Sequence, residues 1–123
     1  MLYSVLIYTP DNAYEHLPPE EQEAHLQDHR KLQTELAARG EFATARLSPV
    51  SNAVTIKPST EKNAKPLMVD GPFAETKERF MGLYIFDCES LEDAIEQASK
   101  ISSPFNHLEI RPVLWSGGLL GEE

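Results

Sequence analysis

Apolar and polar positions along the chain follow two different periods, and the changes of period mark the elements. Residues 2–8, Leu-Tyr-Ser-Val-Leu-Ile-Tyr, have the length and composition of a strand and stop at Pro10-Asp11-Asn12. Tyr3, Val5 and Ile7 fall on one side of it and Ser4, Leu6 and Tyr8 on the other. Apolar residues on both sides predict a central strand with both faces covered. Pro18-Pro19-Glu20-Glu21 then opens a helix, because proline tolerates the first turn and acids there favour the positive end of the helix dipole. Gly40 closes it. Placing residues 100° apart puts His25, His29, Leu32 and Leu36 on one stripe within about 40° of each other, so two histidines share the core-facing side.

Short strands are predicted over 41–47 and 53–57, separated by the turn-rich Ser48-Pro49-Val50-Ser51-Asn52. A polar, proline-bounded loop follows over 58–66, then strands over 67–69 and 80–87. Ser90-Leu91-Glu92-Asp93 reads as a capping box, and Leu91, Ala94, Ile95, Ala98 and Ile101 recur at helical spacing behind it. Residues 108–115 alternate as a half-buried strand that Trp115 is expected to anchor, and a loose tail begins near Gly117-Gly118. Strand, long helix, several strands, helix, strand is an α+β order, with the connectivity of a ferredoxin-like split βαβ repeat. Two helices cover one face of such a sheet, so the other apolar face is expected to meet a second copy, a homodimer.

The chain has 123 residues, the length of one domain. We take 1–115 as that domain and 116–123 as the tail. A formal charge of −9 repels phosphate backbones and anionic membranes, which excludes nucleic acid as the expected partner. The single cysteine, Cys88, cannot close a bridge within the chain, lacks the company a structural zinc site needs, and reads as a small buried residue. No membrane span or export signal is visible, and a cytoplasmic location is expected. No cofactor is expected either, since no Gly-rich phosphate loop or cysteine cluster is present. Only residues 57–79 are locally basic, five bases to four acids, so an anionic substrate would be drawn toward that middle segment.

Residues 70–78, Asp-Gly-Pro-Phe-Ala-Glu-Thr-Lys-Glu, form a nine-residue string that resembles the signature of the DGPF, or YCII-related, domain family. The likeness extends to the Ile7-Tyr8 strand end, the Pro19-Glu20-Glu21 helix start, a histidine in that helix and the closing Glu109-Ile110-Arg111-Pro112-Val113. The resemblance implies a ferredoxin-like fold that dimerises through its sheets into an α+β barrel. It also implies a candidate active site made of a histidine and an aspartate, which map onto His29 and Asp70. One distant relative is a dehydrochlorinase of a hydroxylated aromatic, and members often lie beside sigma factors.

Two readings stand for each candidate residue. Asp70-Gly71-Pro72 holds a carboxylate on rigid backbone at a strand end, where Asp70 either serves chemistry or caps the turn while Phe73 plugs the core. Next to Asp70, His29 would be a general acid/base that takes a proton from a small anionic or aromatic compound and returns it in an elimination or isomerisation. Otherwise it is a core histidine satisfied by a carbonyl. His25 and His29 stand four apart, a spacing that suits a shared metal ion, but no third ligand is fixed by sequence and no metal is expected. Arg111 either clamps a substrate anion or pairs with Glu109, while Ser4 and Tyr8 are further substrate-binding candidates. Glu75, Lys77 and Glu78 read as surface charge pairs. The alternative to an enzyme is a non-catalytic ligand-binding or interaction module, linked to a sigma factor as a separate protein.

Overall fold

The computed structural model describes residues 1–62, 64–74 and 76–118. Glu75 and residues 119–123 of the tail lie outside the described residues. Strand β1 spans Leu2–Pro10, helix α1 Pro19–Arg39, β2 Phe42–Arg46, β3 Val54–Lys57, β4 Leu67–Asp70, β5 Glu78–Asp87, α2 Leu91–Ser99 and β6 His107–Pro112. Four strands form an antiparallel sheet in the order β2-β5-β1-β6, with β1 central as its two apolar sides required. Without the β3–β4 hairpin this is the strand order of a ferredoxin-like βαββαβ unit, so the fold is α+β with both helices on one face.

The register fixes what each face carries. Tyr3, Val5 and Ile7 stand opposite Phe86, Tyr84 and Gly82 on one side and Pro112, Ile110 and Leu108 on the other. This face meets Leu32 and Leu36 of α1 and Ala94, Ala98 and Ile101 from the α2 region, and together they make the core. Cys88 is buried in it, and burial pushes its thiol up to about 11, so it is an inert packing residue. Ser4, Leu6 and Tyr8 point the other way, beside Ile85, Leu83 and Phe80 and beside Arg111, Glu109 and His107. No helix covers that second face among the described residues.

The helices are tied to each other by charge. Arg39 donates from Nη1 and Nη2 to the two oxygens of Asp93 at 2.8 and 2.7 Å, and this pair holds the Asp93 carboxyl well below the usual carboxylate range. The expected capping box forms by half. Ser90 accepts the Asp93 N–H at 3.1 Å, but Asp93 Oδ2 accepts from the Glu89 N–H at 3.2 Å, in a carboxylate both of whose oxygens are also bonded to Arg39.

The β3–β4 hairpin stands as its own two-stranded sheet, closed by Gly71 N–H to Ala53 O at 2.8 Å. Phe73, expected as a core plug, is 87% exposed, and Trp115, expected to anchor β6, is 71% exposed. Both lie beyond the reach of the core that α1 and the sheet build. Among the described residues no helix is long and apolar enough to cross a membrane.

Candidate functional site

A cavity of about 310 Å³ opens between α1 and the sheet. His25 and His29 line it from the helix, Ile7 and Tyr84 from the two central strands, Arg46 from the end of β2 and Phe105 from the turn before β6. Tyr14 and Glu15 reach it from the loop after β1. Gln22 anchors that loop by donating from Nε2 toward the carbonyls of Tyr14, Glu15 and Leu17 at 3.1–3.3 Å, so a polar residue in the first turn of α1 sets one wall.

A hydrogen-bonded chain crosses the floor. Gln33 Nε2 donates to Tyr84 Oη at 3.1 Å, Tyr84 Oη meets His29 Nδ1 at 2.7 Å, and His29 Nε2 meets His25 Nε2 at 3.2 Å. The ring of Tyr84 is buried in the core, so only its hydroxyl serves the site. Two sets of tautomers satisfy the chain. In one, Tyr84 donates to His29, which donates to His25; in the other, His25 donates to His29, which donates to Tyr84. His25 Nδ1 makes no hydrogen bond among the described residues and is the open end of the chain. In the second set His25 Nδ1 carries a bare lone pair and can take up a proton, while Gln33 Nε2 only donates, so proton movement is confined to Tyr84, His29 and His25.

Electrostatics keep the pair neutral. Burial lowers the His29 pKa to about 4, with His25 and Arg46 adding to the fall and Asp28 opposing it. Burial lowers His25 as well, against the pull of Asp28. Tyr84 is raised by burial, against its hydrogen bonds to Gln33 and Thr44. At neutral pH the histidines therefore have lone pairs that are not already protonated.

The His29 shift also links stability to pH. An unfolded histidine titrates near 6.5 and the folded one near 4, so the unfolded state gains protons first as pH falls. The contribution of neutral His29 is complete above 6.5 and is lost as pH falls toward 4, on the order of 1–2 kcal/mol after allowing for the solvent that reaches the ring. Thermal melts are expected to show a Tm decline between pH 6.5 and 4 that is shallower in His29→Gln. Parallel declines in the two proteins would reject the shift.

The sequence candidates divide between three places. His29 lies in the cavity and Leu32 and Leu36 are buried beneath it, as the stripe required. Asp70 ends β4 opposite Val54, is exposed, and is not among the cavity-lining residues; among the described residues the hydrogen-bond partners of the His29 ring are Tyr84 and His25. Ser4, Tyr8 and Arg111 occupy the uncovered face of the sheet, where the Ser4 hydroxyl donates to Arg111 O at 2.9 Å. Among the described residues no group of three or more His, Cys, Asp or Glu is placed to hold a metal. Sequence reasoning missed Tyr14, Gln33, Arg46 and Phe105. The position of Gln33 one helical turn beyond His29 is the one local signal that could have found it.

Fold and site together define a small α+β protein with a histidine-lined cavity between its first helix and one face of an antiparallel sheet. The YCII-related domain model matches residues 1–115, and the chain belongs to that family. It is 34% identical over 117 residues to Uncharacterized protein R00369 of Rhizobium meliloti (strain 1021), a match covering 92% of each chain.

Proposed function

We propose that the chain is a small-molecule enzyme in which His25 and His29 act together as the acid/base group of an elimination or isomerisation. The observation that carries this reading is the unbroken chain Gln33–Tyr84–His29–His25 along the floor of a cavity. Both reactions begin when a base removes a proton from carbon, and a neutral imidazole whose far nitrogen is held by a second imidazole suits that step. His25 receives the proton at its open nitrogen and passes one inward to His29. The protonated pair, being more acidic than free imidazole, returns it readily to a leaving group or to a neighbouring carbon. His25 thus takes the part that sequence reasoning gave to Asp70, and Asp70 is read as a turn residue of the hairpin.

Deuterium incorporation from D₂O into a panel of small acids with an activated C–H tests the proposal. We expect exchange into at least one member, with a rate that holds level as pH falls through the ordinary histidine value, because burial lowers both histidines. Absence of exchange across the panel, or a limb at the ordinary histidine value, would reject it.

The uncovered sheet face is read as the seat of a second copy. Leu6, Tyr8, Phe80, Leu83 and Ile85 form an apolar centre there, and Ser4 and Arg111 would then serve the dimer contact. Light scattering is expected to give twice the 13.8 kDa chain mass, and a monomer at micromolar concentration would reject the dimer. A cytoplasmic location accords with the lone buried thiol. The non-catalytic alternative, an interaction module, has one observation in its favour: the β3–β4 hairpin exposes Val54, Ile56, Leu67 and Met68. Exchange activity decides between the two.

A further inference from the structure

We infer that the cavity takes a planar aromatic carboxylate, with its carboxylate on Arg46 and its ring against Tyr14 and Phe105. The inference rests on the cavity being the ligand site, as proposed above, but not on the chemistry of the histidines.

Among the described residues lining the cavity, Arg46 is the one lysine or arginine and Glu15 the one aspartate or glutamate. Glu15 Oε1 accepts from Arg46 Nη2 at 3.0 Å. The guanidinium lies over the Tyr14 ring, 4.6 Å from its centroid, which fixes the plane of the fork. Nε and Nη1 form no hydrogen bond among the described residues, so the rest of the fork is unspent. A chain of net charge −9 repels anions in general, and the point at which this cavity can hold one is Arg46, whose guanidinium is tied to Glu15 through Nη2 alone.

Geometry selects the anion. A planar carboxylate matches the two parallel N–H bonds of a guanidinium edge. A doubly charged phosphate would meet Glu15 at close range as well as the negative field of the whole chain. The rest of the wall selects the ligand body. Ile7, Leu26 and Met81 are apolar. His25 packs against Tyr14 and Phe105 at interplanar angles of 50° and 65°, so the three rings make one side of the cavity aromatic. A volume of about 310 Å³ is at the small end of ligand pockets, which limits the body to one or two rings.

Benzoate is the probe, measured by calorimetry or by NMR titration of the full chain against benzamide, its uncharged isostere, and against acetate, which lacks the ring. Benzoate is expected to bind about tenfold or more tighter than either. Arg46→Gln should erase the preference for benzoate over benzamide. Glu15→Gln should tighten benzoate several-fold, since it frees the fork and removes a neighbouring negative charge, and it keeps the test decisive if Arg46→Gln fails to fold. Equal affinities for benzoate and benzamide in the native chain, a preference that survives Arg46→Gln, or weaker benzoate binding in Glu15→Gln would each overturn the assignment. Benzoate has no activated C–H, so its binding is read apart from proton transfer. Retained benzoate preference without deuterium exchange on any substrate would reject the acid/base reading alone, and exchange without the preference would reject this one alone.

Discussion

His29→Gln is expected to lower the rate of any exchange or elimination the protein performs by about 10²–10⁴, the range lost when a positioned acid/base group is removed. Glutamine is close in size and can still bond to the Tyr84 hydroxyl, so the loss would report the missing basic nitrogen rather than a collapsed wall. The relay makes a second demand. His25→Gln should be about as damaging as His29→Gln, because each interrupts the same chain at 3.2 Å, whereas Tyr84→Phe, which removes only the hydroxyl that orients His29, should cost about tenfold. Tyr84→Phe should also move the low-pH limb of the rate, since His29 then loses the partner that fixes its tautomer. Rates measured alongside thermal melts separate these effects from unfolding. An active His29→Gln protein would remove the histidines from the chemistry, and an active His25→Gln protein would reduce the relay to a single base.

The scaffold was legible in the sequence wherever a local pattern and its punctuation agreed. Pro18-Pro19 and Gly40 bracket α1, Ser90 starts α2, and the alternation of Tyr3, Val5 and Ile7 marks the face that the helices cover. His29, Leu32 and Leu36 share a stripe because 3.6 residues per turn leave no other arrangement. The cavity wall was not legible, because Tyr14, Arg46 and Phe105 come from a loop, a strand end and a turn that meet only in the folded chain. Asp70 shows the same limit from the other side. Its nine-residue string is the most specific segment of the chain, yet its position is set by β3 pairing with β4 rather than with the main sheet, and no residue in the string encodes that choice. Phe73 and Trp115 are apolar, but hydrophobicity does not say which surface covers a residue.

Gly82→Ala is expected to destabilise the protein by about 2–3 kcal/mol and to disturb the cavity at the same time. Gly82 lies in β5 opposite Arg46, beside the register shift that leaves Met81 as an extra residue between the partners of Ile7 and Tyr8. A Cβ there would sit 2.7 Å from the Ala45 carbonyl oxygen, and a backbone atom in a paired strand cannot swing aside as a side-chain end would. The strain has to be relieved by displacing the end of β2, where Leu47 N–H bonds to Met81 O at 2.8 Å and where Arg46 enters the cavity. The preference for benzoate over benzamide should therefore fall together with stability in Gly82→Ala. In contrast, Cβ atoms at Gly40 and Gly71 would meet nothing within 4 Å, so replacements there carry only the cost of a positive φ and should leave the benzoate preference untouched. Denaturant melts with benzoate titrations on the three variants test this, and a Gly82→Ala protein of native stability that keeps its benzoate preference would show that β2 is not what positions Arg46.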